Sequence, residues 1–455
     1  MGELWLPVLL SMQFGLTLIP SALAVEYRIT DLGTLGGEYS GAADINNAGQ
    51  VVGYAGISSG SQHACRWDPD GTAVDLNSAV GGIGYAFAIN ESGQAVGQAL
   101  YQARYRAVLW EANGDIRDLG TLPGRTGGKA LAVNNHGQVV GYSFLNYEGQ
   151  NRAFLWDPVS GMTDLGTLGG TFSEASGIND AGKVVGCSTT AAGKYHAFVW
   201  TASTGMVDVH DPTMHSSNAQ AINNNGIATG GCCLLTGGMA MPTNVFLWNS
   251  LDGLQDVGGL GPWNFGQDIN SNAEVAGQYQ PGGGDFRAFR WDSVSGFQEL
   301  PYLLGDHWSA GGINDDGLIA GAGNGFGYGG SHTHAMLWTP IKTIEAAVEI
   351  KPDTLNLKSK GEYVTVYIEL PAGERGLEDI DVSSLRLNAT IEPAEERQPQ
   401  IGDYDSDGIP DLMVKFDREA LCGLLSAGEQ TVTLTGSCLD GADLTGQDTI
   451  RVLEK

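Results

Sequence analysis

The chain has 455 residues, room for about three domains' worth of mass, and 42% of them are hydrophobic, enough for a sizeable core. Its formal net charge of −29 argues against a nucleic-acid partner, because such binding needs a basic face to displace counterions. The 68 glycines follow no collagen period, so they point to many tight turns and many short strands.

Leu4 to Ile19 form an apolar run, Pro20 breaks it, and Ala22-Leu23-Ala24 supplies a small-x-small cleavage site. Residues 1–24 therefore read as a signal peptide, and a secreted, extracellular chain beginning at Val25 is the expectation. The lack of Lys or Arg before the run, and Glu3, depart from the usual leader. An uncleaved anchor is the alternative, although the run is short for a span of about 20 residues. No membrane span is expected after leader removal.

From Tyr27 onward one motif recurs. In its third copy it reads Ala132-Val133-Asn134, then Gly137-Gln138-Val139-Val140-Gly141, then Arg152-Ala153-Phe154-Leu155-Trp156, then Asp164-Leu165-Gly166. The asparagine returns at Asn46, Asn90, Asn134, Asn179, Asn223, Asn270 and Asn314, at intervals of 44, 44, 45, 44, 47 and 44 residues. The tryptophan returns at Trp67, Trp110, Trp156, Trp200, Trp248, Trp291 and Trp338. A period near 45 leaves room for four short strands and their turns. Asn-x-x-Gly marks a hairpin turn, and the Val-rich flanks favour strands. Arg152, Phe154 and Trp156 alternate with Ala153 and Leu155, so both faces of that strand are mostly apolar, as in a sheet packed between two neighbours.

The first six copies end in an acidic-apolar pair: Asp75-Leu76, Asp118-Leu119, Asp164-Leu165, Asp208-Val209, Asp256-Val257 and Glu299-Leu300. The seventh stops at Trp338-Thr339-Pro340 without one. The missing strand stands at the front, as Tyr27-Arg28-Ile29-Thr30-Asp31-Leu32-Gly33. If it completes the last sheet, residues 25–340 form a seven-bladed β-propeller closed by its N-terminal strand. An open stack capped by that strand is the alternative.

Asp31-Leu32-Gly33-Thr34-Leu35-Gly36-Gly37, repeated at Asp164 to Gly170, together with the literal His196-Ala197-Phe198, resembles the HAF-type extracellular repeat family over about residues 26–340. The resemblance implies a secreted bacterial propeller and no settled chemistry. Most copies depart from the name motif, often with Arg in place of His.

The slot before Ala-Phe reads His63, Arg106, Arg152, His196, Asn244, Arg287 and His334. It could line an anion-binding channel. Each copy also carries one acid in the next strand, so a structural pair that fixes register is the expectation. His332 and His334 have a spacing zinc can use, but no third ligand is apparent. Gly325-Phe326-Gly327-Tyr328-Gly329-Gly330 matches a dinucleotide fingerprint literally, yet a strand follows where that motif needs a helix. Copy five departs most from the repeat, at His210-Asp211, His215 and Cys232-Cys233. No His-Glu-x-x-His helix is found.

After a linker at 341–345, residues 346–455 lose glycine and gain acids, and their strand signals suggest a small acidic β-sandwich. Strands are expected at Tyr363 to Leu370, Leu385 to Ile391, Leu412 to Phe416, Thr431 to Thr435 and Asp448 to Leu453, with a helix capped by Asp417. Asp403-Tyr404-Asp405-Ser406-Asp407-Gly408-Ile409-Pro410-Asp411 resembles the calcium loops of integrin-type and thrombospondin repeats. Asp403, Asp405 and Asp407 would converge on one hard cation, Gly408 permits the turn, the Ile409 carbonyl joins, and Asp411 takes the ninth position. Val414 stands where an EF-hand has its bidentate glutamate, so another residue or water must complete the shell of this structural calcium. Cys422 and Cys438 are expected to pair, Cys187 to bridge toward Cys232-Cys233, and Cys65 to be a core substitution.

The expected function is a secreted, non-catalytic binding or scaffold protein that presents propeller loops to an extracellular protein or glycan. An extracellular polysaccharide hydrolase or lyase is the alternative. A structural surface or matrix protein is the third reading.

Overall fold

A computed structural model describes residues 25–454 apart from 79–80, 102–103, 146–149, 235–242, 283, 304–306, 325–332, 359–360, 372–375 and 440. The leader, the Gly325–Gly330 run and His332 lie outside the described residues. Among the described residues the fold is nearly all-β, with one α-helix, Arg418–Leu424, and one short 3-10 turn, Leu377–Asp379. No helix among the described residues is long and apolar enough to cross a membrane. The chain divides into two compact units, one of them Ile29–Thr339 with Val25, the other Pro340–Lys455 with Glu26–Arg28.

In the first unit each of the first six copies of the motif folds as four antiparallel strands in chain order. Copy three is Gly127–Val133, Val139–Phe144, Arg152–Asp157 and Gly161–Asp164. Copies five and six touch through one parallel pairing, Thr243 with Trp263, which joins their strands into one sheet. The seventh sheet is Ser309–Ile313, Ile319–Asn324 and Thr333–Pro340, and Tyr27–Asp31 lies along its outer edge. Leu32 N donates to Ala335 O at 2.9 Å just beyond that strand.

Two features of the motif follow from backbone geometry. In every copy the innermost strand carries a bulge two residues before the asparagine, as at Ala42/Asp44, Ala130/Ala132 and Gly266/Asp268. The bulge drives a carbonyl toward the second strand, so the glycine facing it cannot be replaced. A Cβ on Gly53, Gly141 or Gly321 would lie 2.0 Å from that oxygen. This is why each copy reads Val-Val-Gly or a close variant there.

Packing runs between copies. Ala88, Val96 and Leu109 of copy two share a core with Val139, Phe154 and Trp156 of copy three. Ile45, Val51 and Trp67 of copy one share theirs with Ala320 and Ala335 of copy seven. Phe154, Phe198, Phe246 and Phe289 are fully buried, and each such ring stabilises the fold by about 1.5–3 kcal/mol.

The second unit holds two sheets around one core. One contains Thr343–Glu345, Asp443–Leu453, Gly428–Cys438 and Ile380–Leu387, with Thr354–Asn356 alongside. The other contains Ala347–Lys351, Tyr363–Glu369, Asp411–Asp417 and Gln400–Gly402. Val366, Leu412 and Phe416 of the second sheet meet Leu385, Val432 and Ile450 of the first. Residues expected as a linker include Thr343–Glu345, which instead pair in parallel with Asp443–Thr445. Asp417 caps the helix, its carboxylate accepting from Ala420 N at 2.7 Å.

Candidate functional site

The repeated slot is structural in six copies. His63 Nδ1 lies 2.9 Å from Asp75, Arg106 Nε 3.1 Å from Asp118, and Arg152 Nη2 3.3 Å from Asp164. His196 lies 2.8 Å from Asp208, Asn244 donates to Asp256 at 3.0 Å, and His334 lies 2.8 Å from Asp31. The same aspartates accept from the backbone N–H two residues on, as Asp31 does from Gly33 and Asp164 from Gly166, both at 2.8 Å. One side chain thereby ties its own turn to the neighbouring strand. Copy six breaks the rule. Its acid is Glu299, one methylene too long for that turn, and Pro301 two residues on has no N–H to give. Glu299 is bonded by the Tyr279 hydroxyl instead, and Arg287 lies with its Cζ 3.8 Å from the centre of the Tyr302 ring. Burial and the Glu299 carboxylate push the Tyr279 phenol well above its usual range.

A second column of residues carries no repeat. On the innermost strands, five residues before each asparagine, stand Gly41, Tyr85, Lys129, Glu174, Asn218, Phe265 and Ser309. All but Gly41 are half-buried. Lys129 Nζ sits 4.1 Å from the centre of the Phe87 ring, and Phe87 stacks with Tyr85, their centres 6.4 Å apart. Tyr54 meets Tyr85 edge-on at 5.5 Å, and the Tyr85 hydroxyl donates to Gln62 at 2.6 Å. Burial lowers the proton affinity of Lys129, an effect Glu174 opposes. Burial raises that of Glu174, against the hydrogen bond from Asn151 and the charge of Lys129. No direct ion pair joins Lys129 and Glu174 among the described residues. The side-chain amide oxygen of Asn218, Oδ1, is buried with no hydrogen-bond partner among the described residues.

The asparagines enclose a cavity of about 230 Å³ lined by all seven copies. Its lining includes Glu91, Asp180 and Asp315, each accepting a backbone N–H from the preceding copy: Asn47, Asn135 and Ser271 donate at 3.1, 2.9 and 2.8 Å. Deeper, the bulge residue is Ala or Gly in five copies but Asp44 and Asp268 in the other two. Asp44 accepts from Ile45 N at 2.8 Å and Ile89 N at 2.9 Å, and Asp268 from Ile313 N at 2.9 Å. Burial and the proximity of Asp268 raise Asp44 from 3.8 to about 8, and burial raises Asp268 as well. Neither residue was singled out from sequence. The signal was an acid interrupting a column of Ala and Gly.

In the second unit the four expected aspartates fall into two carboxylate groups that share Asp405. Carboxylate oxygens of Asp403, Asp405 and Asp411 lie within 4.8 Å of one another, as do those of Asp405, Asp407 and Glu369. Gly408 takes φ +94°, and its N–H donates to Asp403 at 3.2 Å. Ile409 N donates to Asp407 at 2.7 Å. Asp411 is buried and accepts from Tyr404 N at 2.9 Å. Glu369 was not foreseen. It ends the strand whose Ile368 pairs with Leu412, and that register carries it to the loop. Its carboxyl is raised by burial and then by Asp407, Asp411 and Asp405. An all-oxygen, carboxylate-rich donor set of this kind can hold a hard metal ion.

Cys65 is a buried core residue as expected, whereas the two expected bridges are not formed. The sulfurs of Cys422 and Cys438 are not bonded to each other, and both serve as small apolar groups of the second unit's core. Cys187 and Cys232 form no bridge either, and their thiols lie 3.8 Å from Ser217 O and 3.6 Å from Asn244 O. Burial pushes both thiols up to about 12, which leaves them unreactive. In copy five, His210 replaces a turn glycine. Its Nδ1 lies 2.7 Å from the Ser217 hydroxyl, at the place where Ser40 and Ser173 donate to Gly33 O and Gly166 O. His215 is exposed.

No family model matches the chain, and no curated protein matches it. Among solved structures it is similar to virginiamycin B lyase from Staphylococcus aureus, with 12% identity and a TM-score of 0.48 over 70% of this chain and 100% of that one. It is also similar to the β-propeller domain of the Trilobed protease from Pyrococcus furiosus, with 9% identity and a TM-score of 0.45 over 66% of this chain and 93% of that one.

Proposed function

We propose that this chain is a secreted, seven-bladed β-propeller of the HAF-repeat type, joined to a calcium-stabilised β-sandwich, and that it binds an extracellular glycan without chemically altering it. The observation that carries the binding reading is the break in symmetry at the innermost strands. Structural positions repeat because every copy meets the same packing demand. Gly41, Tyr85, Lys129, Glu174, Asn218, Phe265 and Ser309 share a position and no chemistry. Half-exposed rings at Tyr54, Tyr85 and Phe87 offer flat apolar faces beside a lysine and a carboxylate. Stacking faces beside a few polar groups form a pattern that suits a sugar ring.

Calcium is the cation we assign to the loop, held by Asp403, Asp405, Asp407 and Asp411 with Glu369 as the outlying carboxylate. The Ile409 carbonyl is the remaining donor of the set. Its role is to neutralise a negative cluster and so stabilise the second unit.

A catalytic reading has one observation in its favour: the proton affinities of Lys129 and Glu174 are displaced toward each other. A glycan array with the full chain, followed by a degradation screen on each bound glycan, separates the readings. Binding that falls at least about tenfold in Phe87→Ala, with no new chain ends released, supports the binder. New chain ends that vanish in Glu174→Gln overturn it in favour of the enzyme.

A further inference from the structure

Arg287 and Lys129 are half-buried cations of the first unit with no acceptor among the described residues. Arg287 makes no hydrogen bond or ion pair among the described residues, and its Nη1 is buried. Its counterparts Arg106 and Arg152 hold Asp118 and Asp164. Arg287 lost its partner because Glu299 is taken by Tyr279, and it lies flat on Tyr302, a ring 45% exposed. A guanidinium stacked on a ring keeps its in-plane N–H groups clear of the ring, and with Nη1 buried the edge left to grip a planar carboxylate with two parallel bonds is Nε–Nη2. Lys129 likewise donates to no protein atom among the described residues and rests on Phe87. Both residues face a tyrosine of the second strand in their own copies: Lys129 pairs with Tyr142 and Arg287 with Tyr279. An ammonium and a guanidinium left half-buried without acceptors are costly to keep unless something supplies the oxygens.

We infer that the glycan is an acidic one, whose uronic-acid carboxylates are bound by Arg287 and Lys129. The inference rests on the glycan-binding reading above. A carboxylate is favoured over a phosphate by its planar fit to the guanidinium.

The test is calorimetric titration of the full chain with oligogalacturonate and oligomannuronate, each also as its methyl ester, which keeps the ring and removes the charge. At least one acidic form should bind, and its ester at least about tenfold more weakly. Arg287→Gln and Lys129→Met should each weaken the acid form to a similar degree, and Arg287→Lys should restore only part. Arg106→Gln makes the same change in net charge at a paired residue and should leave binding unchanged. Tryptophan fluorescence checks the fold of each variant. Equal binding of acid and ester, or equal loss in Arg106→Gln and Arg287→Gln, overturns the inference. Binding only to neutral glycans overturns it too while leaving the glycan reading intact, whereas binding to no glycan removes both.

Discussion

The side chain of Asn314 donates to the backbone carbonyl of Asn46 at 3.2 Å, across 268 residues of chain. The same bond runs from Asn46 to Asn90, Asn90 to Asn134, Asn134 to Asn179, Asn179 to Asn223, Asn223 to Asn270 and Asn270 to Asn314, at 2.8–3.1 Å. The bonds therefore form a cycle with no first member. Each asparagine also holds its own hairpin, as Asn134 Oδ1 does by accepting from Gln138 N at 3.0 Å.

A cycle makes a prediction that a linear stack does not. Asn134→Ala removes a hairpin bond and an inter-copy bond, at a cost of about 1–3 kcal/mol. Asn314→Ala should cost the same, because its partner in copy one is held as firmly as any other. The measurement is urea unfolding followed by tryptophan fluorescence. All 10 tryptophans precede residue 340, so the signal excludes the second unit. A much smaller loss for Asn314→Ala would mean the cycle does not bear load at its junction.

Asp44 makes stability fall with rising pH. Its folded-state value of about 8 lies above the ordinary 3.8, so between these limits the folded chain holds a proton the unfolded chain has released. Folding then takes up a proton, and stability drops from about pH 4 to about pH 8 and levels beyond. Asp44→Ala, which installs the residue found at Ala88 and Ala132, should flatten that slope. It forfeits the bonds to Ile45 and Ile89, so it should be less stable than the parent at pH 5. By pH 9 the deficit should shrink by at least about 1.4 kcal/mol. A deficit independent of pH would remove Asp44 as the titrating group.

What the sequence made legible was whatever the ring imposes on every copy. Asn46, Gly53 and Trp67 recur because hairpin, bulge and inter-copy core make the same demand seven times. The edge strand Tyr27–Asp31 was legible as a gap at one end matched by a surplus at the other. Lys129 and Glu174 were not, since a position that varies in every copy looks like noise until the bulge shows that it sits on the innermost strand. The departure at Glu299-Leu300-Pro301 was in plain view, but only the Asp turn geometry of the other copies gives it meaning. Glu369 could not be found locally, because strand register alone brings it to Asp405.

If the loop holds calcium as proposed, removing it should act on one unit. With chelator, the melting transition of Pro340–Lys455 should fall while the tryptophan transition stays in place, since binding to the folded state alone adds RT ln(1 + [L]/Kd) of stability. Glu369→Gln should weaken the calcium-induced shift and Asp405→Asn should abolish it, as Asp405 belongs to both carboxylate triplets. Calorimetry resolves the two transitions. An unchanged lower transition with and without calcium would reduce the loop to a solvated acidic turn.

The edge strand offers the most direct challenge to the ring. Asp31 bonds both His334 and Gly33 N, duplicating at the junction what Asp164 does for Arg152 and Gly166 N inside the repeat. Asp31→Ala and Asp164→Ala should therefore lower stability alike, by about 1–2 kcal/mol. Deleting residues 25–33 is more severe, because the strand Thr333–Pro340 then presents its N–H and C=O groups unpaired, and an exposed edge invites pairing between chains. The truncated chain should melt earlier by tryptophan fluorescence and run as oligomers on size exclusion, and a synthetic peptide of residues 25–33 should restore the monomer. If truncation leaves both the melting point and the elution volume unchanged, the last sheet stands without its borrowed strand, and closure has to be credited to the asparagine cycle and the shared core of copies seven and one alone.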